Sequence, residues 1–253
     1  MNLTPWLSAL EARHLADLRF SDLTRALRAL SSAYVERRTT ALPGHRTLDG
    51  AGKRAAFALY YGPIHFLLIE AIMREVAPAL PAGVVVDLGC GTGVAGAAIA
   101  AQTVPPSRVA AFDTHPWTLD EARFTYRAFG LTADVRRASV AQVRLPGDAS
   151  IIVAAFVVNE LSDTDRGATL KALLAAGQRG AAVLIVEPIS QRISPWWPEW
   201  AGAFTKAGGR ADEWHFRIES PLIVKRLARA AGLRPEVLTA RSLFLERRAG
   251  LTA

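Results

Sequence analysis

The stretch Val84-Val85-Val86-Asp87-Leu88-Gly89-Cys90-Gly91-Thr92-Gly93 constrains this chain more than any other. A β-branched apolar run ends in an acid, three alternate glycines follow, and Val94-Ala95-Gly96-Ala97-Ala98-Ile99-Ala100 continues as a run of small residues. The first part predicts a strand buried on both faces of a parallel sheet, and the last the opening of a helix. Glycines in the turn between them let the backbone approach a ligand with no Cβ in the way, and a helix start offers free N–H groups to acceptor atoms. Strand, glycine turn and helix in that order cradle a nucleotide. The spacing Gly89-x-Gly91-x-Gly93 lacks the G-x-G-x-x-G form used for a dinucleotide pyrophosphate, which counts against a NAD-type oxidoreductase.

The next strand reads as Arg108-Val109-Ala110-Ala111-Phe112-Asp113 and again ends in an acid. Asp113 lies twenty residues beyond Gly93, where nucleotide folds place a carboxylate that accepts from both ribose hydroxyls. A helix over Thr118 to Phe129, stopped by Gly130, and a short strand at Val135 follow. Two further apolar runs, Ile151 to Val158 and Ala181 to Glu187, complete a parallel set. The first opens onto Asn159-Glu160-Leu161, so Asn159 and Glu160 point toward the crevice outside the carboxyl ends of the strands. Glu160 either orients an acceptor or caps the following helix with Ser162 and Asp163.

Between Ile189 and Ser220 the alternation of strand and helix is lost to the eye. This segment holds Trp196, Trp197, Trp200 and Trp214, followed by His215, Phe216 and Arg217. Tryptophan favours sites apolar at one end and polar at the other, so the segment reads either as a cap over a pocket or as a satellite hydrophobic cluster. A helix from Pro221 to Ala231 follows. Val237-Leu238 and Leu243-Phe244-Leu245 then read as an antiparallel strand pair.

Ahead of the glycine turn the chain is helical. Thr4-Pro5 reads as an N-cap and first turn, Ser21 as a second cap, and the breakers between Thr39 and Gly52 as a loop. A third helix begins near Lys53, is interrupted at Gly62-Pro63, and resumes to Val76. Its apolar surface implies burial, placing Tyr60, Tyr61 and His65 where they either fill the core or wall the crevice.

The 253 residues, 51% of them hydrophobic, suffice for one sizeable core. Cys90 is the single cysteine, which excludes a disulfide framework or a multi-cysteine metal or iron–sulfur site. No apolar run suggests a membrane span and the N-terminal residues do not read as a signal peptide, so a cytoplasmic location is the expectation. The formal charge of +7 suits a polyanionic partner, although the arginines are spread without a long basic block.

Asp87-Leu88-Gly89-Cys90-Gly91-Thr92-Gly93 resembles the first motif of class I S-adenosylmethionine (SAM) methyltransferases, and the order of elements resembles their fold over roughly residues 80 to 250. The resemblance implies an α/β chain with a seven-stranded Rossmann-like sheet: a helical region over 1–79, then a SAM-binding domain over 80–253 carrying an aromatic insertion at about 189–220. It implies SAM as cofactor, with Asp87, Gly89, Gly91 and Gly93 at the methionine end and loop and Asp113 on the ribose. Many relatives have an adenine-binding Asp near position 138–140. Ser139 stands there instead as a weaker acceptor. The Asn/Asp-Pro-Pro-aromatic signature of amino-methylating enzymes is absent. Acceptor-side candidates are Tyr60, Tyr61, His65, Asn159, Glu160, Trp196, Trp197 and His215, with no metal ligands among them.

Short segments also look similar to the methyltransferase-like small-ribosomal-subunit assembly family of bacteria and mitochondria. These are Leu30-Ser31 to Arg37, Lys53 to His65, Phe156 to Leu161, Val186-Glu187-Pro188 and Trp214 to Arg217. That family's cysteine cluster is missing here, so no metal role carries over. The partners so implied are ribosomal RNA or a small-subunit particle. A small-molecule acceptor, and a non-catalytic RNA-binding assembly factor that retains SAM, are the alternatives.

Overall fold

Valine's preference for a pleated, doubly covered position places the Val84 run at the centre of a sheet. In the computed structural model, which describes residues 2–36, 48–234 and 236–247, Val84–Leu88 (β1) is buried at every position. It pairs in parallel with Arg108–Asp113 (β2) on one side and Ala149–Ala155 (β4) on the other. Ala133–Arg137 (β3) extends the parallel set beyond β2, and Ala182–Glu187 (β5) beyond β4. Leu238–Leu245 (β7) runs antiparallel to β5, and Arg210–Phe216 (β6) pairs antiparallel with β7. The order β3-β2-β1-β4-β5-β7-β6 is the expected seven-stranded Rossmann-like sheet.

Two expectations for the C-terminal third are corrected. Val237-Leu238 and Leu243 to Leu245 do not pair with each other: Leu238 and Leu243 to Leu245 lie on the one strand β7, whose partner is β6. Nor is 189–220 an irregular insertion, because it contains the helix Trp197–Lys206 (α8) and β6 itself. Strand β6 escaped notice because an edge strand exposes one face, so Arg210-Ala-Asp-Glu-Trp-His-Phe216 reads as polar.

Alternate strand residues feed two cores. Val85, Val109, Ile151, Val153 and Leu184 join one side, with Gly62–Val76 (α4), Val94–Ala100 (α5) and Pro116–Ala128 (α6). Val86, Leu88, Ile152, Ile185 and Leu243 join the other, with Asp163–Gln178 (α7) and α8. The N-terminal helices Thr4–His14 (α1), Phe20–Glu36 (α2) and Ala51–Ala56 (α3), and the late helix Leu222–Ala231 (α9), share the first core. Neither expected cap is used: Leu3 is the N-cap of α1, and α2 begins ahead of Ser21. Most of the loop expected between Thr39 and Gly52 lies outside the described residues.

The break expected at Gly62-Pro63 is absent. Helix α3 continues through a π turn, Phe57–Tyr61, directly into α4. Proline lacks an N–H and crowds the carbonyl four residues back; the wider turn, in which the Gly62 N–H reaches Phe57 O, makes room for it. The combined helix Ala51–Val76 is long and apolar enough to cross a membrane, but 67% of its most apolar window is buried inside the protein.

Trp6 in α1 is 2% exposed and packs its ring 5.6 Å from Phe66 and 5.3 Å from Phe129, tying the first helix to the layer over the sheet. Trp6→Ala is expected to lower the stability of the whole chain by about 3–5 kcal/mol within a single calorimetric transition. A sheet that melts separately at its wild-type temperature would refute the shared core.

Candidate active site

All five parallel strands end on one edge, and the order reverses between β1 and β4, so the ligand crevice lies outside the ends of those two strands. At β1 the glycine turn takes left-handed backbone angles, with φ of 64° at Gly89, 52° at Gly91 and 78° at Gly93. A Cβ at Gly89 would lie 2.3 Å from Val157 Cγ2, and one at Gly93 would lie 2.9 Å from Ala122 Cα. At Gly91 the space is open, and that is where a ligand can approach the backbone.

Asp87 holds this turn from beneath. Its Oδ2 accepts from the Gly96 N–H at 2.8 Å and from the Tyr126 hydroxyl at 3.0 Å. Burial raises its pKa to about 6, against the lowering effect of those two hydrogen bonds. Of the two roles expected for Asp87, the structure displays the loop-holding one. Gly96 is small for the same reason: a Cβ there would meet Asp87 Oδ2 at 2.7 Å.

Asp113, at the end of β2, accepts from the Gly91 N–H at 2.9 Å through Oδ2 and from the His115 N–H at 2.9 Å through Oδ1. Each oxygen retains a lone pair, and the residue is partly exposed beside the open flank of Gly91. That arrangement suits a ribose diol. Thr92, which sequence reasoning passed over, lies within the same turn and has a buried Oγ1 without a hydrogen-bond partner among the described residues. A hydroxyl of this kind suits the polar amino-acid end of an adenosylated methionine. Ser139 follows β3 at the same edge, half-buried, with its hydroxyl unused as a cap. The donor set thus fits a nucleoside bearing a charged amino-acid tail.

Several of the acceptor-side candidates come together at the end of β4. Phe156 takes φ 59°, a left-handed conformation that costs a bulky residue about 1–3 kcal/mol, and stacks on His65 with ring centroids 4.1 Å apart. Tyr61 lies 5.9 Å from His65 on the preceding turn. Burial lowers the His65 pKa to about 4, so its imidazole is neutral at physiological pH. Asn159 donates from Nδ2 to Glu187 Oε2 at 2.6 Å and accepts at Oδ1 from Trp196 Nε1 at 2.8 Å. Glu187 Oε1 accepts from the Val158 N–H at 2.9 Å, so the carboxyl at the end of β5 holds the whole turn after β4.

Glu187 is 0% exposed, and Arg241, its register partner on β7, is 2% exposed with its guanidinium 4.2 Å from the Trp197 ring centroid. Neither residue was among the sequence candidates. Glu187 had a signal, being the third parallel strand to end in an acid; Arg241 had none, because its partners come from remote strands. Burial raises the Glu187 pKa to about 8, opposed by its hydrogen bonds and by Arg241.

Other candidates stand elsewhere. His215 lies on the exposed face of the edge strand β6, three strand spacings or about 14 Å across the sheet from β4. Alternation on an edge strand turned it to solvent, and it is not part of the acceptor side. Tyr60 is core, with its pKa raised to about 12 chiefly by burial. Trp196 and Trp200 are buried in the second core while Trp214 packs on the first, so the tryptophans form no single cap. Glu160 is exposed. Among the described residues no group of three or more His, Cys, Asp or Glu side chains could hold a metal ion.

A family model described as "Methyltransferase domain" matches residues 85–180, from the second residue of β1 to the threshold of β5. Residues 85–180 thus match a methyltransferase domain. Among solved structures it is similar to an O-methyltransferase family protein from Burkholderia thailandensis, at 15% identity and TM-score 0.55, over 88% of this chain and 69% of that one. It is also similar to the CMeT domain of the citrinin polyketide synthase, at 14% identity and TM-score 0.55, over 90% of this chain and 66% of that one. These likenesses establish the fold. No curated protein matches the sequence. S-adenosylmethionine is the cofactor that a methyltransferase domain implies, and the open Gly91 flank, Asp113 and Thr92 are the residues that fit it.

The network around Glu187 sets a pH dependence. Its pKa is about 4.5 unfolded and about 8 folded, so between those values the native state binds the extra proton and stability falls as pH rises. Chemical denaturation from pH 5 to pH 9 is expected to show that decline, and Glu187→Gln to flatten it. A variant with the wild-type slope would show that this carboxyl is not the titrating group.

Proposed function

We propose that this methyltransferase acts on RNA, with ribosomal RNA or an immature small ribosomal subunit as the acceptor. The observation that carries the reading is the excess of cations, +7 over the chain, on a fold whose catalytic crevice opens at the surface edge of the sheet. A phosphodiester acceptor matches that charge.

The cofactor supplies an activated methyl on a sulfonium, which carries its own leaving group. The protein's own residues therefore bind, orient and exclude water rather than perform strong acid–base work. Asp113 would hold the ribose hydroxyls and Thr92 the amino-acid end. On the acceptor side Asn159 is neutral and pinned by Glu187 and Trp196, His65 is held neutral, and Glu160 faces solvent. Such a set serves an acceptor atom that presents its lone pair without first losing a proton to a strong base. The Phe156–His65 stack and Tyr61 supply a flat aromatic wall against which a nucleobase can lie.

Calorimetry is expected to show Asp113→Ala weakening SAM by roughly 1–3 kcal/mol, the cost of leaving two hydroxyls without a charged acceptor. Unchanged affinity in a folded variant would remove Asp113 from the site. For the acceptor, methyl transfer from labelled SAM into ribosomal RNA or immature small subunits is expected at low salt and is expected to fall steeply as salt rises. A labelled low-molecular-weight product from cell extract, with no labelled RNA at any salt, would assign a small-molecule acceptor instead. Specific RNA binding without transfer would point to an assembly factor that retains the cofactor.

A further inference from the structure

Strand β6 ends and β7 begins at the crevice edge of the sheet, since Phe216 pairs with Leu238 and Arg241 pairs with Glu187 at the end of β5. The connection between them, including α9, therefore lies on the rim of the methyl-transfer crevice. Helix α2 packs against α9: Arg28 reaches the Ala230 carbonyl at the end of α9, and the Arg226 guanidinium lies 5.2 Å from the Phe20 ring centroid. Both helices also pack against the π turn that leads into Tyr61 and His65.

What distinguishes this rim is that exposed arginines from two packed helices come together beside the crevice. Away from the rim some arginines meet a nearby carboxylate, Arg123 with Asp120, Arg136 with Asp134, Arg166 with Asp163 and Arg210 with Asp212, while others, such as Arg108, Arg127 and Arg179, are exposed and pair with none among the described residues. On the two rim helices and their flanks, Arg19, Arg28, Arg226, Arg229 and Arg234 are exposed and pair with no carboxylate among the described residues. Arg25 beside them meets Asp22 only at 3.3 Å, and Lys225 pairs with Glu219. The apolar side of α9 is fully used, with Ile223, Val224, Leu227 and Ala228 buried, so its outer face owes nothing to the core. Guanidinium groups spaced one helical turn apart on two packed helices present forked donors that match phosphate oxygens.

We infer that α2 and α9 together form a docking surface for the phosphodiester backbone of the RNA acceptor, feeding a nucleotide to the adjacent crevice. The inference rests on the reading of RNA as acceptor and adds where it is held. The Arg226 and Arg28 contacts fix the two helices relative to one another, while the exposed side chains of Arg19, Arg229 and Arg234 make no ion pair or side-chain hydrogen bond among the described residues.

The test compares the full chain with two triple variants in binding to a fluorescein-labelled RNA hairpin across a salt series. One variant combines Arg19→Gln, Arg229→Gln and Arg234→Gln on the rim. The other combines Arg108→Gln, Arg179→Gln and Lys206→Gln, which removes the same charge from the opposite edge of the sheet. The rim variant is expected to lose about tenfold or more in affinity at low salt, and its log–log salt slope to fall by about 2, from roughly 0.7–0.9 per phosphate contact. The opposite-edge variant is expected to retain wild-type slope, and both to keep wild-type SAM affinity and thermal midpoint. Equal losses in the two variants, or none in the rim variant, would overturn the surface while leaving RNA as acceptor. Wild-type protein that binds no RNA, or binds anionic phospholipid vesicles instead, would overturn the acceptor reading itself.

Discussion

A single buried carboxylate organises the cofactor half of this protein. Asp87 sits at the end of the central strand, where burial disfavours its charge, and is held there by one N–H from the helix that follows and one O–H from Tyr126 on α6. Those two bonds fix the glycine turn against α5 and α6 at once. The surrounding small residues are consequences of it: Gly96 because a side chain would strike the carboxylate, and Gly93 because it lies against Ala122 and Tyr126. With the turn fixed, the Gly91 N–H meets Asp113, and strands β1 and β2 present one continuous rim of donors and acceptors.

The acceptor half repeats the device with a second buried acid. Glu187 collects the Val158 N–H and the Asn159 amide, so the turn after β4 is held by the end of β5 and cannot move independently of it. Burying Glu187 and Arg241 is expensive in free energy and a weak source of stability. What the pair provides is position: the Asn159 side chain is gripped at both ends, by Glu187 and by Trp196. Val157, on the same turn, fills the place a side chain at Gly89 would take, which couples the two halves of the crevice by direct contact.

The helical layer on one side completes the site by a similar economy. The π turn at Phe57–Tyr61 lets a long apolar helix absorb Pro63 without breaking, and so carries Tyr61 and His65 over the end of β4, where His65 meets Phe156. A simple break at Gly62-Pro63 would have left those rings unplaced. Helix α9, in the reversal between β6 and β7, packs on the same layer against α2 and the π turn.

Local pattern fixed the central strand, the glycine turn, the acid after β2 and the parallel set, because each depends on residues adjacent in the chain: valine pleating, glycine's tolerance of positive φ, and a carboxyl at a strand end. The edge strand was unreadable because a half-exposed strand carries no apolar run, and so His215 was grouped with the acceptor side. Which tryptophan meets Asn159, which arginine faces Glu187 and why Thr92 has a free hydroxyl were decided only by tertiary structure. Those contacts join residues 28 to 54 positions apart in the chain, and no local periodicity encodes a partner that arrives from another strand.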